Sequence, residues 1–317
     1  MHQKKLKTGI IGTGKVGTDL LFKVARSPFL ECTMFVGRSN TSAGLKVARE
    51  LGVATSAESF DVFRNNPDLC DLIFDATSAT DHERHAPEIE ALGVRAIDLT
   101  PANVGEFCIP ALNRDQIAWS NNINMVTCGG QSSVPILACL ADCYDHIKKV
   151  EVVSRVAESS IGPATLENID KYYSSTAEAI NRFSGIEIKN VSIDLQLEKS
   201  RWKPDMLTII SAKINEKDLD RLYQPLEKRL EAIRKYVPGY NIVGTPSRKR
   251  SMLTIMVSVR GMGDWMPSYA GNLDIINCAA LTSAEYYAST RLSLPDPFLF
   301  PTAIPAKNGS AVGVSAA

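Results

Sequence analysis

The sequence predicts an α/β protein of two parts, and three observations predict it. Short apolar strands alternate with helical patterns over residues 1–130, the grammar of a parallel sheet covered by helices. A glycine-rich turn, Gly12-Thr13-Gly14-Lys15-Val16-Gly17, stands between the first strand and the first helix. Beyond Cys128 the period changes. Val191, Ile193, Leu195 and Leu197 alternate with polar residues at a period of two, and Met206–Ile214 and Leu253–Val259 repeat that character. Strands with one polar face and helices against the other make an α+β domain, whose open sheet face is a natural dimer surface. A chain of 317 residues holds two domains of ordinary size. The pattern divides it at 1–130, 131–270 and a final helix at 271–291. A proline- and small-residue-rich tail expected to be loose follows at 292–317.

Composition narrows the function classes. Lys and Arg number 35 against 35 Asp and Glu, without a basic stripe, so nucleic acid is not an expected partner. No apolar run approaches the length of a membrane span, and Met1–Lys7 leads directly into a strand instead of a signal-peptide core. Seven cysteines, an odd number without framework spacing, fit a reducing cytoplasm. Cys139, Cys143 and His146 have helical spacing, but Ile136, Cys139, Leu140, Cys143 and Ile147 form one apolar face. Core packing is the expectation there, and no metal site is predicted.

Taken in order, Leu6–Ile11 is a short strand, and a helical pattern runs from the glycine turn through Ala25. G-x-G-x-x-G in that context is the dinucleotide-binding fingerprint of a Rossmann domain. Gly12 makes the tight turn, Gly14 lets the backbone approach a pyrophosphate, and Gly17 permits close helix–strand packing. The helix N-terminus faces the phosphate charge. The second strand, Leu30–Val36, ends at Gly37-Arg38-Ser39-Asn40, without the acid that usually holds the ribose hydroxyls. Arg38 with Ser39 either holds a 2′-phosphate or is a solvated turn. Helices follow near Ser42–Leu51 and Ala57–Arg64, then a strand at Asp71–Phe74 ending in Asp75. Ala76-Thr77-Ser78-Ala79-Thr80 lies at the carboxyl end of that strand, where open α/β sheets bind ligands; Asp75 equally suits a turn cap. In the helix His82–Leu92, His82 and His85 read as solvated, and the strand Val94–Leu99 follows it.

The stretch Asn124-Met125-Val126-Thr127-Cys128-Gly129-Gly130-Gln131-Ser132-Ser133-Val134-Pro135 carries the chemistry. An apolar strand runs into a cysteine and two glycines, and Pro135 with Ser132 or Ser133 as cap suggests a helix start. Cys128 is then close to unpaired N–H groups and the positive end of a helix dipole, which lowers a thiol's pKa. Those N–H groups can also hold an oxyanion. A small buried cysteine before a tight turn is the plain alternative; the dinucleotide turn upstream favours chemistry. In the second part, Lys149–Val156 alternates into the small-residue loop Ala157–Thr165 before a helix near Leu166. Leu219, Leu222, Leu226, Leu230 and Ile233 have helical spacing, with Pro225 among them. Tyr269-Ala270-Gly271-Asn272-Leu273-Asp274 opens the last helix, which reaches about Ser289.

The chain resembles the acylating acetaldehyde dehydrogenases that partner an aldolase in aromatic meta-cleavage pathways. The resemblance spans nearly all of residues 5–290. Its motifs are Gly12–Leu20, Asp75–Ala79, Asp98–Ala102, Asn124–Gln131, Gly162–Thr165 with Asn168–Asp170, Val237–Tyr240 and Tyr269–Ile275. It implies a fold like that of glyceraldehyde-3-phosphate dehydrogenase, with the last helix returning to the Rossmann domain, and a homodimer or larger assembly. It makes Cys128 the nucleophile. It assigns Thr13, Gly14, Lys15 and Val16, then Ser160, Ile161, Gly162, Pro163, Ala164, Thr165, Leu166, Glu167 and Asn168, and Asn272, to a NAD or NADP site, with coenzyme A as co-substrate. Thr77 and Ser78 join that site from the strand end. The expected chemistry interconverts an aldehyde and its acyl-CoA through a Cys128 thioester.

Two stretches depart from the family pattern. Gly37-Arg38-Ser39 stands where Gly-Ile-Asp is usual, which favours NADP. Ile193–Lys203 replaces a proline-rich run ahead of Asp205, the position of the acid that assists thiol activation. A bulkier or more polar aldehyde in a biosynthetic pathway, with a biosynthetic enzyme as partner, is the alternative. A catalytically inactive nucleotide-binding relative is another, which intact Cys128-Gly129-Gly130-Gln131 argues against. Phosphorylating relatives of this fold add a histidine in the second domain, and residues 151–317 contain none.

Overall fold

The computed structural model describes residues 4–299. Its first part is a seven-stranded sheet in which every pairing is parallel. In chain order the elements are β1 (Leu6–Ile11), α1 (Lys15–Arg26), β2 (Leu30–Val36), α2 (Ala43–Glu50), β3 (Thr55–Ser56), α3 (Asp61–Asn65), β4 (Leu72–Asp75), α4 (Ala79–Ala91), β5 (Arg95–Asp98), β6 (Glu106–Phe107), α5 (Pro110–Asn113) and β7 (Asn122–Asn124). The strand order is β3-β2-β1-β4-β5-β7-β6, so the direction of winding reverses between β1 and β4. Both faces of the sheet are covered, which is why its strands are apolar without alternation. Ile10, Phe35 and Phe74 pack to one side, and Ile11, Val36 and Ile73 to the other.

Helix α6 (Cys128–Cys143) leads out of this sheet into the second. There β8 (Val150–Ala157), α7 (Pro163–Glu167), α8 (Ile169–Ser184), β9 (Val191–Glu198), β10 (Met206–Lys213), α9 (Asp220–Arg234), β11 (Tyr240–Ile242), β12 (Ser247–Lys249) and β13 (Met252–Val259) follow in order. The sheet runs β11-β13-β10-β8-β9, with β12 on β13; β8 and β9 are parallel and the other pairs antiparallel. Its inner face buries Val152, Met206, Ile210, Ile255 and Val257. On the opposite face Val153, Leu207, Ile209 and Met256 are only half-buried. Period-two patterning thus describes a sheet with one packed and one open face.

Helix α10 (Gly271–Arg291) packs back against α1 and α6. A buried ion cluster fastens it. Lys23 on α1 lies 2.7 Å from Asp274 and 3.2 Å from Asp19, and also binds Asp264. Burial works against charging Lys23, but the surrounding carboxylates outweigh it and hold the ammonium above its ordinary value.

The expected loose tail divides in two. Its beginning is packed: Arg114 pairs with Asp296 at 2.8 Å and lies over the Phe298 ring, which also approaches Tyr236 at 6.0 Å. Apolar and cationic side chains hold what composition alone marks as loose. The rest of that segment, 300–317, lies outside the described residues. Cys139 and Cys143 are buried on α6 and His146 is exposed beyond its end. No group that could hold a metal ion gathers among the described residues, and no described helix is long and apolar enough to cross a membrane.

Candidate active site

A cavity of about 530 Å³ opens at the carboxyl ends of β1 and β4, where the winding reverses. Open α/β sheets bind ligands at such a point. The turn after β1 forms one wall through Gly12, Thr13, Gly14, Lys15 and Val16. Gly12 has φ +111, and a Cβ there would sit 2.4 Å from the Ala76 carbonyl oxygen, so only glycine fits. Gly17 faces inward instead of lining the cavity; its Cβ would meet the Gly12 oxygen at 1.8 Å, which lets helix and turn close together. A Cβ on Gly14 would meet nothing within 4 Å. That space is a cradle in which backbone N–H groups can approach a diphosphate.

The opposite wall comes from the loop after β8. Ser160, Ile161, Gly162, Ala164, Thr165 and Glu167 line the cavity. Lys15 crosses to this loop and donates to the carbonyls of Ser159 at 2.7 Å and Ile161 at 3.1 Å. Asn272, at the start of α10, donates to the Ser160 carbonyl at 3.4 Å and lines the cavity. Its buried Oδ1 has no partner among the described residues. A buried amide oxygen left over at a polar cavity is a place for a ligand donor. The cradle and this oxygen both fit a dinucleotide. Two assigned residues stand apart from the lining, Leu166 and Asn168. Leu166 is exposed, and Asn168 turns back to the Ala164 carbonyl at 2.8 Å. Pro163 opens α7.

Cys128 lies in the same cavity, with 9% of its surface exposed. It is the first residue of α6, so the helix begins earlier than Ser132, Ser133 and Pro135 suggest. Thr127 is the cap, its hydroxyl accepting from the Gly130 N–H at 2.8 Å. Ser132 and Ser133 sit inside the helix and donate back to the Gly129 carbonyl. Val126 takes a left-handed φ of 61°, stabilised by its N–H donating to Asn124 Oδ1 at 2.6 Å. Gln131 is structural: its amide donates to the Cys108 and Met125 carbonyls. The thiol does not have the lowered pKa expected from the helix end alone. Burial pushes it up to about 11, with a contact to the Tyr172 hydroxyl at 3.9 Å acting in the opposite sense.

His82 and His85 are not solvated. They lie three residues apart on the inner face of α4, both buried, and their Nδ1 atoms meet Asp75 Oδ2 at 3.0 and 2.8 Å. His82 Nε2 is 3.0 Å from the Asn122 amide and 3.6 Å from Asp98. Burial opposes the charge on both Asp75 and His82. The histidine bonds nonetheless hold Asp75 well below the usual carboxylate range, and the bond to Asp75 raises His82. Burial pushes Asp98 up to about 7. His85, stacked on Phe60 at 5.1 Å, reaches the cavity wall beside Thr77, Ser78 and Asp81. A carboxylate at a strand end followed by histidines seven and ten residues later was the available signal.

Arg38 lines the mouth of the cavity and is exposed. Ser39 does not line it; its hydroxyl pairs with Thr41 at 2.8 Å. Asp205 is not part of the wall either. It precedes β10 with its carboxylate 3.7 Å from Arg260, so the structure does not bring it together with Cys128 as the sequence suggests. Alternation along β10 places Asp205 with Leu207 and Ile209, on the open side of the sheet. Tyr172 has no counterpart among the residues read from sequence. Its spacing from Cys128 carries no local signal, since the two meet only when α8 crosses α6.

Comparison with known proteins extends this geometry. A family model described as semialdehyde dehydrogenase, NAD binding domain, matches residues 7–120. One described as prokaryotic acetaldehyde dehydrogenase, dimerisation, matches residues 128–267. Among solved structures, the chain is similar to aspartate semialdehyde dehydrogenase II of Vibrio cholerae, with TM-score 0.58 and 14% identity over 91% of this chain and 99% of that one. It is also similar to aspartate semialdehyde dehydrogenase with NADP from Candida albicans, with TM-score 0.60 and 13% identity over 89% and 99%. At that identity the likeness is one of fold. Fold and family models together define a dinucleotide-binding oxidoreductase with the semialdehyde dehydrogenase architecture. Sequence relatives are closer. Acetaldehyde dehydrogenase of Spirochaeta aurantia is 47% identical over 90% of this chain and 95% of that one, and that of Pectobacterium atrosepticum 44% over 91% and 97%. The chain belongs to the acetaldehyde dehydrogenase family.

Proposed function

We propose that this chain is a coenzyme A-acylating aldehyde dehydrogenase that interconverts a short aldehyde, acetaldehyde first among them, with its acyl-CoA. The observation that carries the proposal is that Cys128 and the Gly12–Val16 turn line one cavity. When bound there, a nicotinamide dinucleotide supplies the hydride acceptor or donor. The turn would hold its diphosphate, with Asn272 and the Ser160–Thr165 loop on the opposite wall. As a thiolate, Cys128 adds to the aldehyde carbonyl. Oxidation of the adduct leaves a thioester on its sulfur, and the coenzyme A thiol takes the acyl group and frees Cys128. A thiol attacks a thioester more readily than water does, so the site needs no hydrolytic base, and among the described residues no histidine bonds the sulfur. Asp205 enters this proposal through family resemblance alone.

Arg38 supports use of NADP(H) at least as well as NAD(H). The half-buried outer face of the β8–β13 sheet, within the segment matched by the dimerisation model, supports a homodimer or larger assembly. An aldolase that releases the aldehyde is the partner implied. Seven free cysteines suit the reducing cytoplasm. Replacing Cys128 with alanine tests the covalent route. Reduction of a panel of acyl-CoA thioesters by NADH and NADPH should fall at least about a thousandfold. Dinucleotide binding, measured by fluorescence, should change less than about twofold, because the sulfur lies apart from the glycine turn. Substantial acyl-CoA reduction by the alanine variant rules the thioester out.

A further inference from the structure

We propose that Tyr172 is a catalytic residue of this site, its hydroxyl donating to the Cys128 sulfur whenever that sulfur carries negative charge. The inference rests on the covalent role of Cys128 and adds the group that sets its charge. Tyr172 is in the first turn of α8, 2% exposed, and lines the cavity. Its hydroxyl oxygen is 3.9 Å from Sγ and accepts from the thiol as the contact stands. Deprotonation reverses the direction, because a thiolate can only accept. Catalytic hydrogen bonds are often long before substrate binds and tighten afterwards.

The rest of the neighbourhood is arranged to keep that hydroxyl in place. A Cβ on Gly129 would sit 2.2 Å from it, so glycine beside the cysteine leaves the space that the tyrosine fills. One turn further along α8, Thr176 donates to the Tyr172 carbonyl at 2.7 Å and pairs with the Thr127 hydroxyl at 2.7 Å. Thr127 is the cap of α6, so the helix that begins at Cys128 and the helix that carries Tyr172 are pinned within one turn of both residues. Ser154 on β8 borders the same space, its hydroxyl 3.1 Å from that Gly129 Cβ position. Two basic side chains of the wall are engaged elsewhere, and a third, Arg38, stands exposed at the cavity mouth. Lys15 bonds the Ser159 and Ile161 carbonyls, and His85 bonds Asp75. Among the described residues, Tyr172 is the side chain that bonds the sulfur.

Burial pushes the phenol well above its ordinary value, so Tyr172 keeps its proton and acts as a donor, not as a base. The thiol proton therefore leaves through the cavity to solvent. The thiolate pair forms the C–S bond, and the carbonyl π pair moves to oxygen. The carbonyl re-forms as hydride leaves the carbon, for which an oxidised nicotinamide dinucleotide held by the Gly12–Val16 turn would be the acceptor, and the thioester remains. The coenzyme A thiol loses its own proton to solvent and attacks. The C–S bond to Cys128 then breaks with its pair on sulfur, where the Tyr172 hydroxyl receives it.

The test is the pH dependence of Cys128 alkylation by iodoacetamide in the full, dinucleotide-free chain, followed at the Cys128 peptide by mass. Removing one oxygen in Tyr172→Phe should raise the midpoint by about one pH unit and slow alkylation at pH 8 about tenfold. Thermal midpoint and dinucleotide binding should stay near wild type. Thr176→Val, which loosens the pin, should shift the midpoint the same way by less, about threefold in rate. A Tyr172→Phe midpoint equal to that of wild type overturns the proposal. Should that variant not fold, an unshifted Thr176→Val does the same. The two proposals separate cleanly. Unshifted alkylation with Cys128-dependent acyl-CoA reduction removes Tyr172 alone. Acyl-CoA reduction that survives Cys128→Ala removes the covalent route, whatever the alkylation shows.

Discussion

Replacing Arg38 with alanine separates two dinucleotides that differ by one phosphate. A carboxylate after the second strand accepts from both ribose hydroxyls and repels a 2′-phosphate. At the end of β2 this chain has Gly37-Arg38-Ser39 instead, with Arg38 at the cavity mouth and no carboxylate paired with it among the described residues. A charge-assisted hydrogen bond contributes about 1.5–3 kcal/mol. Arg38 is exposed, so water and salt screen the contact and the lower end applies, roughly tenfold in affinity. The assay is kcat/KM for NADPH and for NADH with one acyl-CoA, in wild type and variant, at a single ionic strength. Wild type should use NADPH at least as well as NADH. The variant should lose roughly tenfold with NADPH and less than about twofold with NADH, and added salt should erode the wild-type advantage. A strong NADH preference in wild type, or equal losses with both, means that Arg38 points into solvent.

Two further outcomes follow from buried charge. Burial pushes Glu285 up to about 7 from an ordinary 4.5, with Ser27 donating to it at 2.6 Å. A carboxyl whose folded pKa is raised contributes stability that is complete below about pH 4.5 and lost as pH rises through about 7. At about 1.4 kcal/mol per unit this is at most about 3.5 kcal/mol. The thermal midpoint should therefore fall less between pH 5 and 8 in Glu285→Gln than in wild type; parallel curves contradict the assignment. Lys23→Met leaves Asp19 and Asp274 buried without their cation, while Asp264 keeps Arg26, and should cost about 3–5 kcal/mol in urea unfolding. A loss under about 1 kcal/mol would show that solvent reaches the cluster.

The first two strands and the dinucleotide turn are legible because their signals are local. Leu6–Ile11 and Leu30–Val36 are bounded in the structure as the apolar runs bound them. The start of α6 is less so. Two serines and a proline resemble a helix start, but Thr127 caps earlier, and two glycines are tolerated in the first turn because Tyr172 occupies the space beside Gly129. His82 and His85 read as solvated because charged residues surround them on α4. What buries them is the carboxylate of Asp75, brought under the helix by the sheet. Asp205 matches a family position in sequence, yet the facing of β10 decides its partner. In each case the missing information is a contact between elements, which spacing along the chain does not carry.

That long-range order has a simple physical basis at the cavity floor. Asp75, Asp98 and Asn124 are the last residues of β4, β5 and β7, and they are partners across the sheet in one row. Each turns its side chain onto the N–H two residues ahead: Asp75 onto Thr77 at 3.1 Å, Asp98 onto Thr100 at 2.7 Å and Asn124 onto Val126 at 2.6 Å. These are Asx turns, which bend the backbone sharply at the end of a strand. Asn124 also donates to Asp98 at 2.6 Å, and the His82 ring stands between the two carboxylates. Two adjacent buried carboxylates are costly unless a cation or donors compensate, which His82, Asn124 and the loop N–H groups do together. The row sets three loops at one level. Two of them, Ala76–Ala79 and Leu99–Pro101, line the cavity, and the third delivers Cys128 through the left-handed Val126. The distance from cysteine to dinucleotide turn is therefore fixed by neighbouring strands, not by either loop. That is why a sulfur 111 to 116 positions from the glycine turn in sequence shares its cavity.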